Sequence, residues 1–149
     1  MYAFRFFSQR VRSRGRRLRV ESLEPRVLLA GDTFLVNFQF DEATPPATYL
    51  RDTGEMFGDR GGGLRYGWSS DHNDQARERN LHPDQRFDTL VHFEAGQIWE
   101  FELANGLYEV TVAVGDPANN DGVHTINLED VNLLNAVPDT DVRLVRTAA

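Results

Sequence analysis

Residues 98–114, IWEFELANGLYEVTVAV, predict a β-hairpin that turns at Asn105-Gly106. A type I′ turn needs positive φ at both central residues, and Asn-Gly adopts such angles at low cost. Counting outward from this turn gives three facing pairs, Leu103 with Tyr108, Phe101 with Val110, and Trp99 with Val112. Because strand side chains alternate between faces, these six apolar residues would share one face. The other face would pair Glu102 with Glu109, so we expect an arginine nearby or a solvated face.

Three other segments have the alternation of strands: 34–40 (FLVNFQF), 86–93 (RFDTLVHF) and 123–131 (VHTINLEDV). The segments between them are rich in Gly, Asn, Asp and Pro, which are the usual turn formers. We expect 52–71 to be a glycine-rich loop whose aromatic side chains fill pockets, and 71–83 to hold at most one helical turn. Short strands without a convincing helix predict an all-β fold, an antiparallel β-sandwich or a barrel.

Composition excludes several kinds of chemistry. The 149 residues suffice for one domain, and all 16 basic residues are arginine. Without lysine or cysteine there is no P-loop lysine, Schiff base, disulfide or cysteine-type zinc site. No apolar run approaches about 18 residues, so no transmembrane segment is expected. The net charge of −7 is unevenly distributed, since residues 1–30 hold eight arginines and two glutamates; the acidic remainder argues against nucleic-acid binding.

The N-terminal segment, residues 1–30, contains the sequence LEPRVLLA at 23–30. It resembles the LEPR-XLL motif found near the N-terminus of many large exported and surface proteins of bacteria. The matching residues are Leu23, Glu24, Pro25, Arg26, Leu28 and Leu29. The resemblance implies export or sorting, with a largely disordered segment 1–30 before a folded region 31–149. A nucleic-acid arm and an amphipathic membrane-surface segment are the alternatives.

Residues 34–131 are similar to the malectin-like and galactose-binding-like jelly-roll domains. The most specific parts are Tyr66-Gly67-Trp68 and the run from Asn105-Gly106 to Gly115-Asp116. The resemblance implies a two-sheet antiparallel jelly roll with a role in carbohydrate binding, and it does not imply catalysis. Members of these families normally continue with further strands after a segment like 141–147, so the resemblance implies a sandwich that lacks its final strands.

The candidate carbohydrate contacts are Tyr66, Trp68, Asp71 and Asp116. Aromatic faces stack on the C–H faces of sugars, and carboxylates accept hydrogen bonds from hydroxyl groups. The alternative for the two aromatic residues is packing in the core. A calcium loop is the further hypothesis for Asp116, Asn119 and Asp121, because hard cations prefer oxygen ligands. Ordinary turn chemistry is its alternative.

These observations predict a non-catalytic carbohydrate-binding module of an exported or surface protein. The alternatives are a structural or adhesion module without a sugar ligand, and a non-functional fragment of a larger surface protein. Carboxylate pairs exist at Asp84/Asp88 and Glu100/Glu102, as a glycosidase would need. However, no HExxH spacing or Ser/His/Asp order accompanies them, so we do not expect an enzyme.

Overall fold

The structure is a computed structural model that describes residues 2–3, 6–10, 33–106, 108–119, 122–129, 131–136 and 143–148. The strands in these residues are β1 (Tyr2–Ala3), β2 (Phe6–Arg10), β3 (Thr33–Phe38), β4 (Leu50–Asp52), β5 (Gly58–Asp59), β6 (Arg65–Trp68), β7 (Ala76–Glu78), β8 (Thr89–Phe93), β9 (Trp99–Phe101), β10 (Tyr108–Val114), β11 (His124–Leu128), β12 (Val131–Ala136) and β13 (Arg143–Ala148). The helical residues are a 3₁₀ turn, Asn73–Gln75, and one α-helical turn, α1 (Gln85–Asp88). No helix among the described residues is both long and apolar enough to cross a membrane.

The strands form four sheets, ordered β13-β10-β2-β3-β4, β5-β6-β9, β1-β8-β7 and β11-β12. Every pairing is antiparallel except that of β3 with β4, which is parallel. The predicted fold class, an all-β sandwich built from antiparallel sheets, is therefore confirmed. The finer prediction of a jelly-roll connectivity stays a prediction.

The predicted hairpin around Asn105-Gly106 is wrong. Strand β9 pairs with β6, so that Trp99 lies opposite Trp68 and Phe101 opposite Tyr66. Strand β10 instead lies between β2 and β13 in another sheet. The apolar alternation of residues 99–101 suits either partner, but β6 places the aromatic residues Trp68 and Tyr66 opposite residues 99 and 101, where the predicted hairpin would have placed valines. Its Tyr66 ring lies 5.2 Å from that of Phe101, a type of contact worth about 0.5–1.5 kcal/mol beyond burial.

Strands β5 and β6 and the last residue of β4 lie within the segment 52–71 that was expected to be a loop. Gly67 makes this arrangement possible, with a φ of 141°. A Cβ atom there would lie 2.7 Å from the carbonyl oxygens of both Glu55 and Met56. The close approach lets the Trp68 amide donate to Glu55 O at 2.9 Å, and the Phe57 amide donate to Trp68 O at 2.8 Å. The extra strands therefore depend on a residue without a side chain.

The predicted strand 86–93 is helical in its first half. Asp84 caps α1 by accepting a hydrogen bond from the Arg86 amide at 3.0 Å. The buried Asp88 carboxylate then accepts from the backbone amides of Asn80, Leu81 and His82, each at 2.7 Å. Two aspartates that bind backbone amides thus keep this segment out of the sheet until Thr89.

The predicted strands 34–40 and 123–131 are confirmed as β3 and β11. Strand β3 is buried on both faces: Val36 and Phe38 lie in the apolar core, whereas Asn37 and Gln39 form a buried polar network. Asn37 Nδ2 donates to Gln39 Oε1 and to Thr89 Oγ1, both at 2.9 Å. This network ties β3 to the start of β8.

Residues from all four sheets meet in one apolar core. Its buried members are Val36, Phe38, Trp68, Ala76, Val91, Val110, Val112, Val114, Ile126 and Leu134. Partly buried side chains, including Phe93, Trp99, Phe101 and Tyr108, pack against it. These half-covered aromatic side chains border the site described below.

Residues 2–3 and 6–10 lie within the segment expected to be disordered, yet they form β1 and β2. Strand β1 pairs with β8, and β2 lies between β10 and β3. Residues 11–32, which include the LEPRVLLA segment, lie outside the described residues. The division of the chain into 1–30 and 31–149 therefore stays a prediction.

Candidate functional site

A groove of about 1000 Å³ opens between β9, β10 and β11. We call it the aromatic groove. Its floor includes Trp68, Trp99, Phe101, Tyr108, Ile126 and Leu128. Polar residues form its rim, among them Gln97, Asn105, Thr125, Asn127 and Glu129. An apolar floor with a few polar groups at its margin is the usual composition of a ligand site.

A second cavity of about 500 Å³ adjoins the groove at Phe93–Gln97. We call it the polar pocket. Its other lining residues are Asp71, His72, Asp74, Gln75 and His92. Phe93, Glu94, Ala95 and Gln97 line both cavities, so the two form one continuous depression.

Asp52 fixes the two tryptophans of the groove. It is fully buried, and its carboxylate accepts hydrogen bonds from Trp68 Nε1 (3.1 Å), Trp99 Nε1 (2.8 Å) and the Gly54 amide (2.8 Å). Burial raises the pKa of Asp52 above its ordinary value, and the hydrogen bonds from Trp99, Gly54 and Trp68 oppose that rise. One carboxylate thus holds both indole rings in fixed orientations.

The sequence interpretation missed Asp52, although a signal for it exists. A buried indole N–H usually finds an acceptor, so two tryptophans in an all-β core imply at least one buried acceptor. Asp52 stands two residues before Gly54, and its oxygen accepts from that amide in the manner of an Asx turn. What the sequence does not reveal is that residues 68 and 99 meet at this carboxylate.

Tyr66 and Trp68, two of the predicted sugar contacts, are buried, with 3% and 1% of their surface exposed. Tyr66 Oη donates to Arg51 O at 2.9 Å. The Trp68 ring lies 4.9 Å from that of His72 and 5.7 Å from that of Phe38. A ring covered in this way cannot stack on a sugar, so their placement corresponds to the core-packing alternative. Trp99, which the sequence interpretation did not single out, lines the groove while only partly buried.

Asp71, the third predicted contact, is exposed and lines the polar pocket. Its Oδ1 accepts hydrogen bonds from the Asn73 amide (2.9 Å) and from Asn73 Nδ2 (2.7 Å). Asp71 therefore borders the depression, whereas Tyr66 and Asp116 line neither cavity.

Asp116, the fourth predicted contact, is buried in an ion pair with Arg79. Arg79 Nε lies 2.8 Å from Asp116 Oδ1, and Arg79 also donates to His92 Nε2 at 2.8 Å. Burial raises the pKa of Asp116, but hydrogen bonds from Arg79, Ala118 and Asn119 outweigh it and lower that pKa overall. Burial lowers the pKa of His92 to about 4. The Asp116 carboxylate is thus already paired with the guanidinium of Arg79 in the same chain.

This ion pair weakens the calcium hypothesis. The guanidinium of Arg79 already neutralises Asp116, and Asn119 turns its amide nitrogen toward that carboxylate at 3.2 Å. No group of three or more metal-binding His, Asp or Glu side chains is found in the part of the chain that the structure describes. Asp121 lies outside that part, so the loop as a whole stays a prediction.

Comparison with protein families gives one match, at residues 14–33, to the family model described as Planctomycete extracellular. The match indicates an exported or cell-surface protein, and no malectin-like or galactose-binding-like model matches the chain. Neither the curated proteins nor the solved structures yield a significant match. What the depression binds must therefore be argued from its geometry.

Proposed function

We propose that this chain is a non-catalytic carbohydrate-binding module of an exported protein and that its ligand lies in the aromatic groove. The observation that carries the proposal is the half-buried pair Trp99 and Phe101 on the floor of a groove with a polar rim. Sugars present apolar C–H faces and a hydroxyl edge, so a flat aromatic floor beside polar groups suits them.

The rigidity of Trp99 supports this proposal. Its indole nitrogen is held by Asp52 at 2.8 Å, and its ring packs edge-on against Phe38 at 5.2 Å and Phe101 at 5.9 Å. A ring whose orientation is already fixed loses little conformational entropy when a ligand covers it. The groove therefore presents a preorganised surface.

The absence of catalysis is part of the proposal, and the state of the candidate carboxylate pairs supports it. Glu102 is paired with Arg65 at 2.9 Å, and Asp84 is bound by Arg86. Asp88 accepts three backbone amides. One member of Glu100/Glu102 and both members of Asp84/Asp88 therefore already have structural partners.

Fluorescence tests the proposal directly, because both tryptophans of the chain line the groove. Titrating soluble oligosaccharides into the full chain should change the tryptophan emission with a saturable dependence. Ala104→Tyr should block the response, because Ala104 is an exposed residue of the groove. Ala47→Tyr is the matched control, since Ala47 is also exposed but lies outside both cavities. Equal titration curves for both variants would refute the groove as the site.

A structural or adhesion module is the second candidate, and the burial of Tyr66 and Trp68 favours it. In that case the aromatic residues serve only to hold β6 and β9 together. Retention on insoluble polysaccharides separates the two candidates: a carbohydrate-binding module is retained and released by soluble oligosaccharide, whereas a structural module passes through.

A further inference from the structure

Apart from His72 and His92 of the polar pocket, the charged side chains that border the depression are acidic. Asp71 and Asp74 line the polar pocket, Glu94 lines both cavities, and Glu129 lines the aromatic groove. Glu100 also borders the groove, but its side chain alternates with that of Trp99 to the other face of β9. No arginine lines either cavity among the described residues.

Several carboxylates elsewhere on the domain are paired with arginine, and these four are not. Arginines neutralise five other carboxylates, those of Asp41, Glu55, Asp84, Glu102 and Asp116. None of those five lines the groove or the polar pocket. Within the described part of the chain, the four bordering carboxylates have no arginine partner. Arginine thus pairs with acids elsewhere on this domain and lines neither cavity, although the Arg77 guanidinium donates to the backbone oxygen of Asp74 at 2.6 Å.

We propose that the ligand is a glycan whose sugar units carry protonated amino groups, as glucosamine does. This inference rests on the proposed function. An ammonium group on a sugar stacked over Trp99 would lie in a field set by carboxylates along one continuous depression. The same carboxylates would repel a uronate or a sulfated sugar. Because like charges disfavour a partner as strongly as opposite charges favour it, the lining selects cationic over anionic glycans.

The test compares three oligosaccharides of equal length, made of glucosamine, N-acetylglucosamine and galacturonic acid. Each is titrated into the full chain below neutral pH, with tryptophan emission as the signal. The glucosamine oligomer should bind most tightly and the galacturonate oligomer least. Raising the ionic strength should weaken the binding of the glucosamine oligomer and leave that of the N-acetylglucosamine oligomer nearly unchanged, because salt screens only the charge interaction.

Substitutions locate the effect. Glu94→Gln should raise the Kd for the glucosamine oligomer about threefold, as expected for one partly exposed ion pair. Glu42→Gln, at an exposed acid outside both cavities, should leave that Kd unchanged. Ala104→Tyr should abolish binding of every oligomer that occupies the groove.

The outcomes distinguish this inference from the function on which it rests. Suppose that the N-acetylglucosamine oligomer binds and that Ala104→Tyr blocks this binding. If the galacturonate oligomer then binds as tightly or more tightly, the charge inference is overturned and the proposed function stands. Binding of glucosamine oligomer that persists in Ala104→Tyr also overturns the inference, since the carboxylates then act outside the groove. If no oligomer binds, both fall.

Discussion

Asp52 holds the indole rings of both tryptophans that line the groove. An uncharged substitute of the same shape, Asp52→Asn, offers one acceptor oxygen where the carboxylate offers two, so at least one indole N–H loses its partner. We expect the free energy of unfolding to fall by about 1–3 kcal/mol and the tryptophan emission to change. Urea unfolding followed by fluorescence measures both.

The control for this prediction is Asp59→Asn. Asp59 is exposed and accepts only from the Gly61 amide at 2.7 Å, a bond that an asparagine oxygen reproduces. That variant should unfold within about 0.5 kcal/mol of the wild type. If Asp52→Asn lowered the free energy of unfolding no more than Asp59→Asn does, the packing of the two indoles would not depend on the Asp52 carboxylate.

Arg79 illustrates how burial determines the contribution of an ion pair to the free energy of unfolding. Arg79→Met leaves the Asp116 carboxylate buried without its cation, which should cost about 3–5 kcal/mol of unfolding free energy. Arg51→Met removes an exposed pair with Asp41 and should cost under about 1 kcal/mol. Adding Asp116→Asn to Arg79→Met should recover part of the loss in chemical denaturation, because the stranded charge is then gone. A double variant no more stable than Arg79→Met would contradict this account.

At the scale of elements, the contact between β6 and the segment 55–57 depends on Gly67. Gly67→Ala would place a methyl group 2.7 Å from two backbone carbonyl oxygens, and neither can move without breaking its strand contacts. We expect the free energy of unfolding, measured with heat or urea, to fall by more than about 2 kcal/mol.

Gly96→Ala is the control, because its φ of 84° is strained but no atom lies within 4 Å of the added Cβ. That variant should lose only about 1 kcal/mol; equal losses would mean that φ alone matters at Gly67.

The elements also show what the sequence could and could not predict. The alternation in residues 34–40 and 123–131 predicted β3 and β11 correctly, because a period of two depends only on local side-chain geometry. The pairing of β9 was wrong because apolar alternation does not specify a partner, and the preference of Asn105-Gly106 for a tight turn is small beside the aromatic contacts with β6. The strand content of 52–71 was missed because three positive-φ glycines, Gly61, Gly62 and Gly63, resemble an irregular loop although they only connect β5 to β6.

For the whole molecule, the sequence predicted the fold class, but the tryptophan that it proposed as an accessible contact, Trp68, is buried, whereas Trp99 is only partly buried. Exposure depends on which sheets meet: Trp68 packs against Phe93 and Phe38 and is buried, whereas Trp99 stays partly exposed where it lines the groove. The acidic lining likewise comes from distant segments, around residues 71–74, 94 and 129, that only the fold brings together. The prediction of export is supported by the family match at residues 14–33, which lie almost entirely outside the described residues.

The pH dependence of stability is a property of the whole chain, since several groups contribute with opposite signs. Burial lowers the pKa of His92 to about 4 and also lowers that of His124, so the unfolded chain binds these protons first as the pH falls. The contribution of His92 to stability is complete above about pH 6.5 and is lost between about 6.5 and 4, and His124 contributes in the same direction. The raised pKa of Asp52 acts in the opposite sense, because the folded state then takes up its proton more readily.

We therefore expect the unfolding free energy to decrease from neutral pH to pH 4, with His92 contributing at most about 1.4 kcal/mol per pH unit. Below the ordinary carboxyl range, protonation of Asp84, Asp88 and Asp116, whose pKa values are lowered in the fold, should add a second loss. Urea titrations at a series of pH values measure the profile. His92→Gln should flatten its upper part. A wild-type profile as flat as that of His92→Gln would show that the buried imidazole gains its proton in the folded chain as readily as in the unfolded one, and that burial does not lower its pKa.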